Sequence, residues 1–137
     1  MYPIEELNPA YDNGTMPDNV ETLRSAVVGR KIVKTEKQEI KSRWYGMRPG
    51  LIITLDDGTE VSLADTDDCC AYTELEAFLL HPDKVDHVIM GVGTTDEYST
   101  WHIYADLGDV LELSVGWSSG NPFYYGYGFN INVVPVQ

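Results

Sequence analysis

Two apolar runs, Leu51 to Leu55 and Glu60 to Leu63, flank Asp56-Asp57-Gly58-Thr59, and no other stretch constrains the fold as tightly. Glycine enters positive φ without a Cβ clash, so Asp-Gly between strand-like runs predicts a tight antiparallel hairpin. The same period of two recurs in Val110 to Trp117, where Leu111, Leu113, Val115 and Trp117 alternate toward one side. His87 to Val92, Thr100 to Ala105 and Phe129 to Val134 are further strand candidates, with Asp106 to Asp109 as a turn. Lys31 to Ile40 reads as an edge strand, because its lysines and glutamates discourage pairing with another chain.

Two segments read as helical. Asp18-Asn19-Val20-Glu21 has capping-box spacing, Val20, Leu23, Ala26 and Val27 share a face, and Gly29 supplies a left-handed stop, which predicts a helix over 19–28. Thr73-Glu74-Leu75-Glu76 repeats that spacing, Leu75, Phe78 and Leu79 form an apolar face, and Pro82 ends it, predicting a second short helix. Residues 1–17 carry the breakers Asn13-Gly14 and Met16-Pro17 and are expected to form an irregular arm. The expectation is one α+β domain over 18–137, a mainly antiparallel sheet of about five to six strands with two short helices.

A chain of 137 residues with 43% hydrophobic side chains can bury a core without staples. Its two cysteines are adjacent and close no useful loop, so no disulfide framework is expected and the setting reads as cytoplasmic. The first residues carry neither a basic nor an apolar leader region, and no run approaches the roughly 18 apolar residues of a membrane span. Neither export nor membrane insertion is expected.

Charge is unevenly placed. Eight of the nine basic residues lie between Arg24 and Arg48, and Lys84 alone faces fifteen carboxylates in residues 49–137. That excess repels phosphate backbones, so direct nucleic-acid binding is not expected, whereas an acidic surface suits a basic protein partner. The basic strip reads most simply as a solvated strand face.

Asp67-Asp68-Cys69-Cys70 is the one unusual chemical cluster. A vicinal thiol pair can bind a soft metal or exchange disulfides, but only as thiolate, and two neighbouring aspartates disfavour that form. Cys69 and Cys70 are therefore weak metal candidates beside a structural role at the strand junction, and no cofactor is expected. Asp65-Thr66-Asp67-Asp68 opens like a calcium loop but lacks the Gly and the distal Glu. Gly116-Trp117-Ser118-Ser119-Gly120 fits the pattern of a nucleophile elbow without the strand-to-helix turn or the later histidine. His87 and His102 show no paired partner in the sequence, and no catalytic constellation is recognisable. The stretch from Trp117 to Phe129 sets Trp117, Phe123, Tyr124, Tyr125 and Tyr127 among glycines, a composition shared by protein-binding surfaces and by glycine-kinked hairpins.

Asp57-Gly58, Asp68-Cys69-Cys70, Trp101-x-x-Tyr104 and a strand ending at Trp117 before Gly, Asn and Tyr-Tyr follow one another in this order. That succession, over roughly residues 29–134, resembles an uncharacterised family of small phage and bacterial proteins with an Asp-Cys-Cys signature. Asp65 and Asp67 stand here where the family is associated with His and Gln, and Gly120-Asn121 reverses its Asn-Gly, which argues against a His-assisted site. The resemblance implies a mobile-element origin and no assigned activity. The resulting expectation is a non-enzymatic, cytoplasmic accessory protein that acts on a host or phage protein, with homo-oligomerisation possible. The alternatives are a metal- or thiol-dependent protein centred on Cys69 and Cys70, a virion component, or a mimic of nucleic-acid charge.

Overall fold

The computed structural model describes residues 2–8, 14–42, 46–67, 71–119 and 128–135. Among these the chain forms one helix, α1 (Thr15–Val27), and nine strands: β1 (Ile32–Ser42), β2 (Gly46–Leu55), β3 (Glu60–Ala64), β4 (Thr66–Asp67), β5 (Tyr72–Leu80), β6 (Gly91–Thr95), β7 (Thr100–Ala105), β8 (Gly108–Ser118) and β9 (Asn130–Val134). The strands make two antiparallel sheets, one ordered β1-β2-β3-β9 and the other β4-β5-β8-β7-β6. The expectation of an α+β fold with a single sheet and two helices is thereby corrected. The described residues are mostly β, with one helix.

The β2–β3 hairpin is present as its turn chemistry demands. Leu55 and Thr59 close it, Gly58 takes a φ of 90°, and the Asp57 carboxylate accepts the Thr59 N–H at 3.0 Å. That bond, a contact with the Thr59 hydroxyl and the Arg30 charge hold the Asp57 carboxyl below the usual carboxylate range. β1 lies at a sheet edge, with β2 its partner.

The expected second helix is a strand. Residues 72–80 are strand β5, and its pairing with β8 slips between Leu75 and Ala77. A bulge adds one residue, so Thr73 and Leu75 point into the core on one side of it, and Phe78 and Leu80 on the other. Apolar spacing across a bulge becomes three, which imitates a helical face.

The first helix begins earlier than expected. Gly14 is its N-cap, Asp18 lies in its first turn, and no side chain caps it. Pro17 is tolerated there because the first N–H groups of a helix have no intrahelical acceptor. Met16, Val20, Leu23 and Val27 are fully buried at helical spacing, and Gly29 at φ 85° follows the end as expected.

Both sheets and the helix feed one core. Leu51, Ile53, Leu55, Val61 and Leu63 come from the first sheet, and Trp101, Ile103, Leu111, Leu113 and Val115 from the second. The rings of Tyr98, Trp101 and Phe129 meet edge to face in series, with centroids 6.3 Å and 5.1 Å apart. Asn19 on α1 ties down the entry to β9, donating to the Phe129 carbonyl at 2.8 Å and accepting its N–H at 3.1 Å. Residues 87–90 precede β6 and are not strand, so the expected His87 to Val92 strand is displaced toward Gly91–Thr95.

Candidate functional site

Most residues singled out by the sequence lie outside the described residues: Asp68, Cys69 and Cys70, and Phe123, Tyr124, Tyr125 and Tyr127. Their described neighbours are close together. Tyr72 pairs with Ser118, and the Thr66 hydroxyl donates to the Gly128 carbonyl at 2.7 Å. The described residues that flank 68–70 and 120–127 in the sequence therefore lie at one end of the fold. Trp117 is half-buried against the core and donates its indole N–H to the Glu97 carbonyl at 2.8 Å. Phe129, at the close of the aromatic stretch, is a core residue. Asp65 accepts the Leu75 N–H at 3.0 Å, and Asp67 pairs with Arg48. Gly116 to Ser118 continue strand β8, so no strand-to-helix elbow presents Ser118.

A cluster that the sequence did not reveal occupies the outer face of the second sheet. His102 on β7 lies opposite Glu112 on β8 and Gly93 on β6. By strict alternation Asp109 would point to the opposite face from Glu112, because three positions separate them. The β7–β8 register shifts between Ile103 and Tyr104, so Val110 is an extra residue buried beside Leu111, and Asp109 is turned onto the His102 side.

The cluster corrects the expectation that the histidines lack partners. His102 Nδ1 is 3.1 Å from Asp109 Oδ2, and its Nε2 is 2.8 Å from Thr95 Oγ1. An ionised carboxylate only accepts, so Nδ1 carries a proton, and in the neutral imidazole the Thr95 hydroxyl then donates to Nε2. Glu112 Oε2 is 2.8 Å from His81 Nε2, and His87 pairs with Asp106 at 3.2 Å. The side chains of His102 and Asp109 are only 8% and 12% exposed. Asp109 Oδ1 is buried without a hydrogen-bond partner among the described residues, which leaves its desolvation uncompensated.

The segment 2–8 lies over this face. Tyr2 stacks on His102 with centroids 3.9 Å apart and planes 10° from parallel. A Cβ on Gly93 would overlap the Tyr2 backbone, so glycine is what admits the segment. The Asp109 charge, then desolvation, then the Glu112 charge push the Tyr2 phenol above its usual range. Further along, the Glu5 carboxylate accepts the N–H groups of Glu97 at 3.2 Å and Tyr98 at 2.9 Å. Asp96, Glu97 and Tyr98 have φ of 56°, 55° and 66°, three consecutive left-handed residues without a glycine. The N–H groups of Glu97 and Tyr98 converge on the carboxylate as in an anion-binding nest.

Thr95, His102 and Asp109 have the connectivity of a nucleophile, base and orienting acid. The neighbouring Thr94 N–H is engaged by the Pro3 carbonyl, and Tyr2 covers the imidazole. The same groups also present nitrogen and oxygen donors to a cation: one ligand atom each from His102, Asp109 and Glu112 fall within 4.8 Å of one another.

The fold and this face define a two-sheet antiparallel β protein with a histidine–carboxylate cluster under an N-terminal strap. Residues 25–131 match the family described as domain of unknown function DUF7448, and the chain belongs to that family. No curated protein and no solved structure matches the chain. Among the described residues, no helix is long and apolar enough to cross a membrane.

Proposed function

We propose that this protein is a non-enzymatic binding protein that captures a basic protein partner. Its working surface is the end of the fold marked by Tyr72 and Ser118, together with the outer face of β5 and the aromatic stretch that follows Ser118 in the sequence. One observation carries this reading: Tyr72 and Leu79 are 39% and 55% exposed on that face, with Glu74 and Glu76 between them and no ion-pair partner for either carboxylate among the described residues. Exposed aromatic and aliphatic contacts among unpaired charges favour protein partners. Tyr72 pairs with Ser118, and the stretch that carries Tyr124 and Tyr125 follows Ser118 closely in the sequence. The resemblance to small phage proteins supports a mobile-element accessory role in a bacterial cytoplasm.

The test is affinity capture from bacterial lysate with the full chain and with Tyr124→Ala/Tyr125→Ala, each checked by circular dichroism. Loss of a specific partner from a folded double variant supports the reading. Equal capture of the same partner by both proteins overturns the placement of the surface.

A further inference from the structure

We propose that His102, Asp109 and Glu112 form a binding site for one divalent first-row metal ion, steadied by Thr95 and His81 and capped by Tyr2. This inference does not depend on the protein-binding reading. Imidazole with two carboxylates suits Zn2+, Fe2+ or Mn2+, and with such mixed ligands Zn2+ binds more tightly than Mn2+. His102 Nδ1 and Asp109 Oδ2, at 3.1 Å, already stand near the spacing of adjacent ligands on an ion with bonds of about 2.0–2.2 Å. Glu112 is half-exposed, and one of its carboxylate oxygens lies within 4.8 Å of the other two ligand atoms.

The lone pairs needed are present. Asp109 Oδ1 is buried without a hydrogen-bond partner among the described residues, and a cation at this carboxylate would offset the charge left desolvated there. Glu112 Oε2 meets His81, which leaves the other oxygen for the ion. When Nδ1 becomes a ligand, its proton is released to solvent and Nε2 takes one up, so the imidazole changes tautomer and Nε2–H donates to the Thr95 hydroxyl at the same 2.8 Å contact, with the hydroxyl turned to accept. That is the outer contact by which ligand histidines are commonly oriented. All three ligands stand on the paired strands β7 and β8, so the sheet fixes their spacing. Lys84 passes near Gly108, but its ammonium is on Asp83 at 3.1 Å.

The decisive experiment adds Mn2+ alone to the chelator-treated, isotope-labelled full chain and follows paramagnetic broadening in amide and imidazole spectra. Mn2+ is chosen because it binds thiolates poorly, which separates this site from Cys69 and Cys70. The site predicts broadening centred on Thr95, His102, Asp109 and Glu112, saturating at one ion per chain. Glu112→Gln, at a half-exposed position, should weaken Mn2+ binding at least tenfold in a chain that circular dichroism shows to be folded without metal. No broadening at millimolar Mn2+, broadening centred elsewhere, or unchanged affinity in a folded Glu112→Gln variant would each overturn the proposal.

Discussion

The phenol ring of Tyr2 lies flat on the imidazole of His102, 3.9 Å between centroids and 10° from parallel. This contact joins the first residues of the chain to the middle of the second sheet. It depends on Gly93, opposite His102 on β6, because the Tyr2 backbone occupies the space of a side chain there. The strap is further held by Glu5 on the N–H groups of Glu97 and Tyr98, and by the Tyr98 hydroxyl on the Glu5 carbonyl.

Gly93→Ala should therefore lift the strap. The loss of charge-assisted bonds to Glu5 predicts destabilisation of about 1–3 kcal/mol. Hydrogen exchange at the Glu97 and Tyr98 amides should accelerate while the β2–β3 hairpin stays protected. Unchanged exchange at both amides would show that the strap does not depend on Gly93.

Glu97 offers the opposite kind of test. It is exposed at φ 55° in a run of left-handed residues, a conformation that costs a residue with a Cβ roughly 1–2 kcal/mol. Its backbone donates to Glu5 and accepts from Trp117, and both bonds survive replacement by glycine. Glu97→Gly should raise stability by up to about 1 kcal/mol, because the relief of strain exceeds the added freedom of the unfolded chain. Denaturant unfolding measures it, and a destabilised variant would contradict the strain assigned to this turn.

The strand framework was legible in the sequence wherever alternation ran unbroken. Trp101, Ile103, Leu111, Leu113 and Val115 keep their period of two and form the core face. Two bulges hid the rest. At Leu75/Ala77 the extra residue disguised a strand as a helix, and at Val110 it concealed that Asp109 and Glu112 share a face. The partners of His102 were equally hidden, since Tyr2 and Asp109 reach it through tertiary packing and a register shift that no local pattern encodes. Pro17 shows a third limit, because a proline read as a breaker sits comfortably in the first turn of α1.

Asp65 gives the pH prediction. Desolvation raises its carboxyl above the usual carboxylate range, Glu74 adds to this, and the Leu75 N–H, Lys37 and Arg48 oppose it. The folded state therefore holds this proton more tightly than the unfolded state. Stability should fall as pH rises from the unfolded value of about 3.9 through the raised folded value, then level off. Asp65→Asn keeps an oxygen for the Leu75 N–H and removes the titration. Thermal unfolding should show the variant more stable than the parent at pH 7, with the gap closing at lower pH. A variant less stable at pH 7 would contradict the assigned direction.

The central claim is that an acidic, partly apolar face captures a basic protein. It is tested most directly by measuring affinity for the captured partner at rising salt, using the parent and Glu74→Lys/Glu76→Lys. Affinity should fall with salt, and the charge-reversed variant should bind at least tenfold more weakly at low salt while remaining folded. Binding insensitive to both salt and charge reversal would contradict the account.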